Sequence, residues 1–389
     1  MPNKIRNLLT IILILLSITL NLPLAQAAPP LPVAITAKAA VLMDAHSGQI
    51  LYAKNAEAKL DPASLTKIMT VYLAFDAIQN GEAALTDEVV ISEAAWRLGG
   101  SSMFLDIGDK VALEQILKGI TVASGNDATV ALAEKLSGTE ESFVAAMNRQ
   151  AADLELKNTH FANPHGLTAP EHYMSAADTA KLAREHILRH PEALTYHSQK
   201  EFQYNIENIQ QNRNRLLWTY EGCDGLKTGQ TEKAGYCLVA TAKREDMRLI
   251  AVIMGAESIT AREAEATNLL NYGFHNYATV FLRDKEQPLQ SLRIWKGAKT
   301  TVPVGVRESV YQTVDKADKE SVTSEVVLDR KVFAPIAAGQ KMGELIISVT
   351  GSETRRVDVI ALDTVERGGV FRRFADTVGY FFARLFRRV

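Results

Sequence analysis

Cysteine is nearly missing from this chain, with two in 389 residues. That excludes a disulfide-stapled scaffold, and no Cys/His cluster has the spacing of a zinc site. No metal site and no cofactor are expected. Charge of one sign is also missing: the formal net charge is -2, so nothing draws the chain to nucleic acid. A hydrophobic content of 47% with 23% charged residues excludes disorder and a polytopic membrane protein, and is that of an ordinary globular chain. Its length allows roughly two or three domains.

The first 27 residues stand apart. Lys4 and Arg6 precede a nearly pure Leu/Ile run, and Ala25-Gln26-Ala27 gives a small-x-small cleavage site. This reads as a secretory signal peptide. Its removal takes away both basic residues and moves the net charge from -2 to -4. Export would permit a disulfide between Cys223 and Cys237. However, pairing about a turn near Thr231 to Ala234 sets them several residues out of register, which disfavours one.

Residues 39–53 read as strand, turn, strand, with Ser47-Gly48 at the turn. From Ser64 to about Leu194 the apolar spacing is mostly helical. Strand-like runs follow in "GLKTG", "YCLVATAK" and "RLIAVIMGA", and a last helix closes near Tyr277. Strands at both ends with helices between predict an α+β domain over 28–280. Its antiparallel sheet pairs the N-terminal hairpin beside the C-terminal strands. Short alternating runs over 281–366 predict a small all-β sandwich. In the tail, 367–389, Phe371, Phe374, Val378, Phe381, Phe382, Leu385, Phe386 and Val389 share one helical arc. Arg372, Arg373, Arg384, Arg387 and Arg388 share the other. Asp376 is its one acid. Such a helix suits the plane of an anionic membrane surface and is too interrupted to span one.

Three short motifs carry chemistry. In "DPASLTKIMT", Asp61 and Pro62 read as a helix start, which puts Ser64 and Lys67 on one face. A serine needs a base, and a lysine serves only when unprotonated. Burial and a second cation would both lower its pKa. Lys227 in "GLKTGQT" supplies that cation from a strand edge able to hold an extended peptide, and Gly229 allows close backbone approach. "SGN", between helices, adds a second hydroxyl at Ser124 and an amide at Asn126. Each motif is weak alone; their order and element context strengthen them. His160, His165 and His172 read as structural, Trp218 and Trp295 as core or interface residues, and Asp127 as a local hydrogen-bonding group.

S-x-x-K, S-x-N and K-T-G in this order resemble the penicillin-binding proteins and class A β-lactamases. With "HGL", "NRN", "AGYCLVA" and "MRLIAVIMG", the chain resembles the low-molecular-mass penicillin-binding proteins of the D-alanyl-D-alanine carboxypeptidase type over nearly its whole length. The resemblance implies a β-lactamase/transpeptidase-like catalytic fold, a β-domain and an amphipathic anchor at the periplasmic face of the cytoplasmic membrane. The implied substrate is the peptidoglycan stem pentapeptide, with β-lactams as inhibitors. Ser64 would be the nucleophile, Lys67 its base, and Ser124 the proton carrier to the leaving amine. Asn126 would orient the acyl amide; Lys227, Thr228, Arg213 and Arg262 would engage the carboxylate. Backbone N–H groups of Ser64 and Gln230 would form the oxyanion hole beside Gly229. Gln230 departs from the family pattern, where His is frequent, which bears on substrate preference or deacylation. A class A β-lactamase is the first rival, but residues 127–226 contain no E-x-x-L-N run. A D,D-endopeptidase or transpeptidase, and a non-catalytic sensor, are the others.

Overall fold

The computed structural model describes residues 34–207, 209–285, 287–329 and 331–385. The signal-peptide assignment and residues 386–389 of the tail lie outside them.

The N-terminal part is built on a five-stranded antiparallel sheet. Its strands are β1 (Ala39–Asp44), β2 (Ile50–Lys54), β7 (Cys223–Thr231), β8 (Gly235–Arg244) and β9 (Met247–Ala256), in the order β2-β1-β9-β8-β7. β1 pairs with β9, Met43 opposite Ile250 and Leu42 opposite Ala251, as the sequence pattern predicts. Two short ladders complete this part, β3 (Glu88–Val90) with β4 (Lys110–Ala112), and β5 (Glu201–Phe202) with β6 (Gln210–Gln211).

The helices are α1 (Lys67–Gln79), α2 (Glu93–Arg97), α3 (Leu113–Lys118), α4 (Asn126–Ser137), α5 (Glu140–Asp153), α6 (Ala176–Arg189), the single turns α7 (Leu194–His197) and α8 (Leu216–Thr219), and α9 (Ile259–Asn276). The central strands are apolar on both faces because both are covered. Val41, Met43, Ile250 and Val252 face a core that includes Leu65, Ile68, Met69 and Tyr72 of the Ser64 region and α1. Leu42 and Leu249 face the other way, against Gly273 of α9, where an added Cβ would lie 2.5 Å from Leu249. Both cysteines are free thiols, with Cys237 opposite Gly229 and Cys223 opposite Ala242.

The β-domain contains β10 (Tyr277–Arg283), β11 (Gln290–Arg293), β12 (Thr301–Val306), β13 (Val310–Asp315), β14 (Val322–Leu328), β15 (Lys341–Val349) and β16 (Ser352–Ala361). Five of them form a sheet in the order β11-β12-β16-β15-β14, while β10 pairs with β13. Val302, Val304, Leu345, Ile347 and Val359 fill its core. The last helix, α10 (Val370–Leu385), meets this domain through Asp376 and Tyr380. Asp376 accepts a hydrogen bond from the Lys296 backbone N–H at 2.6 Å, and Tyr380 packs edge-on against Trp295 and Phe333. Trp295 is therefore buried as expected, whereas Trp218 is 43% exposed and is no core residue.

Candidate active site

The helix start at Asp61-Pro62 is not an α-helical cap. Asp61 does accept an N–H, from Ala63 at 3.1 Å, but the chain then turns through a 3-10 segment, Ala63–Thr66, and α1 begins only at Lys67. A 3-10 turn has three residues per turn, so side chains at i and i+3 eclipse. That places Lys67 directly over Ser64. Ala63 has φ +47°, a left-handed conformation that costs energy for a residue with a Cβ. Two glycines hold the turn in place. Gly166, at φ +89°, lies so close that a Cβ there would sit 1.9 Å from the Ala63 carbonyl. At Gly229 of β7 a Cβ would sit 3.0 Å from the Ser64 nitrogen and 3.1 Å from the Pro62 carbonyl.

Lys67 is fully buried, and its amine has three neighbours. Ser64 Oγ lies at 3.0 Å, Asn126 Oδ1 at 2.7 Å and the His165 carbonyl at 2.5 Å. Burial, then the Lys227 and Arg213 charges, lower its pKa well below the ordinary lysine value, while Asp127 pulls weakly the other way. A neutral amine has two N–H bonds and one lone pair. Two of its neighbours are oxygens that only accept, so they take both N–H bonds. When the amine is neutral, the third contact becomes the Ser64 hydroxyl donating to the lone pair, the geometry of a general base beside its nucleophile. The Asn126 amide has one orientation, because Nδ2 donates to the Gly99 carbonyl at 2.8 Å.

Ser124 sits at the end of a π-helical turn, Gly119–Ala123, in the left-handed region with φ +61°. Such turns and such strain gather where a side chain must be aimed. Asn126 opens α4, and its backbone N–H donates to the Ser101 carbonyl at 2.7 Å. Asp127 does more than bond locally. Its buried carboxylate accepts from the Met103 and Leu105 backbone N–H groups and from the Ser102 hydroxyl, tying the 101–105 loop to this motif.

Lys227, on the edge strand β7, is also buried and donates to Ser124 Oγ at 3.0 Å and to the Thr228 carbonyl at 2.9 Å. Burial, with Arg213 and Arg262 adding like-charge repulsion, pulls its pKa down to about 7. Arg213 donates to Ser101 Oγ at 2.8 Å, and the buried Arg262 Nε has no hydrogen-bond partner among the described residues. A cleft of roughly 760 Å³, counting space open to solvent, runs between these groups. Ser64, Ser124, Thr228, Gly229, Gln230, Arg213 and Arg262 line it, while Lys67, Asn126 and Lys227 lie buried behind its wall. All ten residues predicted from sequence thus converge. Sequence reasoning missed Ser101 and Arg215, both in the lining, and the His165 carbonyl. "HGL" and "NRN" pointed to the last two segments, but a main-chain acceptor leaves no side-chain signature.

Known proteins agree with this geometry. Residues 24–258 match the Peptidase S11 family, D-alanyl-D-alanine carboxypeptidase. Residues 277–367 match the penicillin-binding protein 5 C-terminal domain. The D-alanyl-D-alanine carboxypeptidase DacF of Bacillus subtilis is 39% identical over 88% of this chain and 89% of its own length. DacD of Salmonella typhimurium is 41% identical over 89% of this chain and 91% of its own. The crystal structure of penicillin-binding protein 5 from Haemophilus influenzae superposes with a TM-score of 0.79 at 38% identity, covering 87% of this chain and 100% of that one. Motifs, fold and relatives converge on one assignment: the chain belongs to the Peptidase S11 D-alanyl-D-alanine carboxypeptidase family.

Proposed function

We propose the following division of labour for the serine D-alanyl-D-alanine carboxypeptidase that family membership makes this chain. Ser64 Oγ gives its proton to the Lys67 amine and attacks the carbonyl of the terminal D-Ala-D-Ala bond of a stem pentapeptide. The backbone N–H groups of Ser64 and Gln230 hold the oxyanion, each donor worth about 3 kcal/mol. Ser124 passes a proton to the departing D-Ala amine, and water then hydrolyses the ester on Ser64. Asn126, with both ends of its amide occupied within the protein, orients the Lys67 amine before it meets an acyl amide. Lys227, Thr228, Arg213 and Arg262 receive the terminal carboxylate, and Gly229 keeps β7 close enough for the substrate backbone to lie along its edge. Penicillins acylate the same serine.

The observation that carries this reading is the buried Lys67 amine 3.0 Å from Ser64 Oγ, whose two other neighbours are acceptor-only oxygens, so that once neutral it turns its lone pair to the Ser64 hydroxyl. We read residues 1–27 as an export signal, 28–280 as the catalytic domain, 281–366 as its β-domain and 367–389 as a peripheral anchor on the periplasmic face of the cytoplasmic membrane. Steady release of D-Ala from a pentapeptide, with a penicillin adduct mapped to Ser64 by mass spectrometry, is the expected result. An adduct on another residue, or one stoichiometric acylation without turnover, overturns the assignment.

A further inference from the structure

Behind the Lys227 strand lies a buried pair of histidines that the reaction above does not use. His186 on α6 and His197 on α7 are 0% and 1% exposed, with their Nε2 atoms 3.0 Å apart. His197 Nδ1 lies 3.0 Å from the carbonyl oxygen of Leu226, the residue before Lys227. A carbonyl only accepts, so Nδ1 carries a hydrogen. Burial keeps both rings neutral, lowering His197 to about 3 and His186 well below the usual imidazole value. A neutral His197 protonated on Nδ1 has a bare Nε2, so the hydrogen between the rings comes from His186. The pair is a one-way relay of donors ending on the Leu226 carbonyl.

The relay joins the two halves of the site. His186 packs 6.2 Å, between ring centroids, from both Tyr72 and Phe75 of α1, the helix that begins at Lys67. Among the described residues β7 has a strand neighbour on one side only. Just ahead of Lys227 side chains supply partners instead: His197 holds Leu226, and Asn214 Nδ2 donates to the Gly225 carbonyl at 2.9 Å. Asn212, in the cleft wall, donates to the His197 carbonyl at 3.3 Å.

We propose that His197, oriented by His186, is a positioning residue that fixes the Leu226 carbonyl and so sets where Lys227 meets the substrate carboxylate. This rests on the reading of Lys227 as the carboxylate's partner. The test compares kcat/KM of the full chain for diacetyl-L-Lys-D-Ala-D-Ala and for its C-terminal amide in His197→Leu and His197→Asn. Leu and Asn have nearly the same shape, but only the Asn amide, near the former Nδ1 position, can donate to the carbonyl. The preference for the free acid should fall about tenfold or more in His197→Leu and stay within about threefold of wild type in His197→Asn. If His197→Leu does not fold, His197→Phe, which fills the ring's space without a donor, takes its place. Equal losses on both peptides, no change on either, or identical behaviour of the two variants overturns the inference. A wild-type enzyme indifferent to acid against amide refutes the Lys227 reading instead.

Discussion

Lys227 Nζ donates to Ser124 Oγ at 3.0 Å, so the strand motif and the inter-helix motif share a hydrogen bond beneath the cleft. With its pKa near 7, Lys227 is charged only on the acid side of neutrality in the free enzyme. Its charge is what a substrate carboxylate seeks. We therefore expect kcat/KM, which reports the free enzyme, to fall as pH rises above about 7. A bound carboxylate favours the charged form, so the basic limb of kcat should lie at higher pH. Lys227→Arg stays protonated and should shift the kcat/KM limb upward. The same lowered pKa has a sign for stability: the unfolded chain binds more protons between about 7 and 10.5, so this group makes stability rise with pH across that window. Superimposable pH profiles for wild type and Lys227→Arg would remove Lys227 from carboxylate binding.

Lys67→Arg puts a permanent cation where the base stood. Guanidinium has no lone pair to offer the Ser64 hydroxyl and cannot deprotonate here. Acylation by penicillin should drop by about 10³ or more while the unfolding transition stays cooperative. Stopped-flow acylation rates decide it, and near-normal rates in this variant would rule out Lys67 as the base.

The sheet and the three motifs were legible because their signals are local. Apolar runs mark β8 and β9, and hydroxyl, amide and amine types mark the chemistry. The turn at Ser64 was not legible. Asp61-Pro62 is equally suited to an α-helix start and to a 3-10 turn, and the choice is made by Gly166 and Gly229 pressing on it from distant segments. The same holds for the Lys67 acceptor at His165, which uses the main chain of a residue whose side chain reads as structural. For Trp218 only the core half of the core-or-interface reading fails. Size predicts burial only on average, and this ring lies on a single-turn helix at the surface.

Gly166→Ala tests that tertiary control of the turn. Its φ of +89° disfavours any Cβ, and the new methyl would lie 1.9 Å from the Ala63 carbonyl. The turn must move, taking Ser64 away from Lys67 and disturbing the adjacent His165 carbonyl. A loss of about 2 kcal/mol or more in urea unfolding is expected, with acylation slowed about a hundredfold or more. Unchanged stability with normal acylation would show that the turn forms without this packing.

The terminal helix gives the last prediction. Its docked side is spent on Lys296, Trp295 and Phe333, which leaves Phe371 94%, Phe374 73% and Phe381 62% exposed. Among the described residues no helix is long and apolar enough to cross a membrane. On the proposed peripheral-anchor reading, these rings would enter the interfacial plane. Truncation after Gly368 should give an enzyme with unaltered kcat/KM that stays in the supernatant with anionic vesicles. In the full chain, Phe374→Ser with Phe381→Ser should weaken vesicle binding at least about tenfold, since each buried Phe contributes roughly 1.5–3 kcal/mol. Raised salt should weaken binding further by screening the arginines. Sedimentation with vesicles measures all three, and a truncated form that still pellets would place the anchor elsewhere.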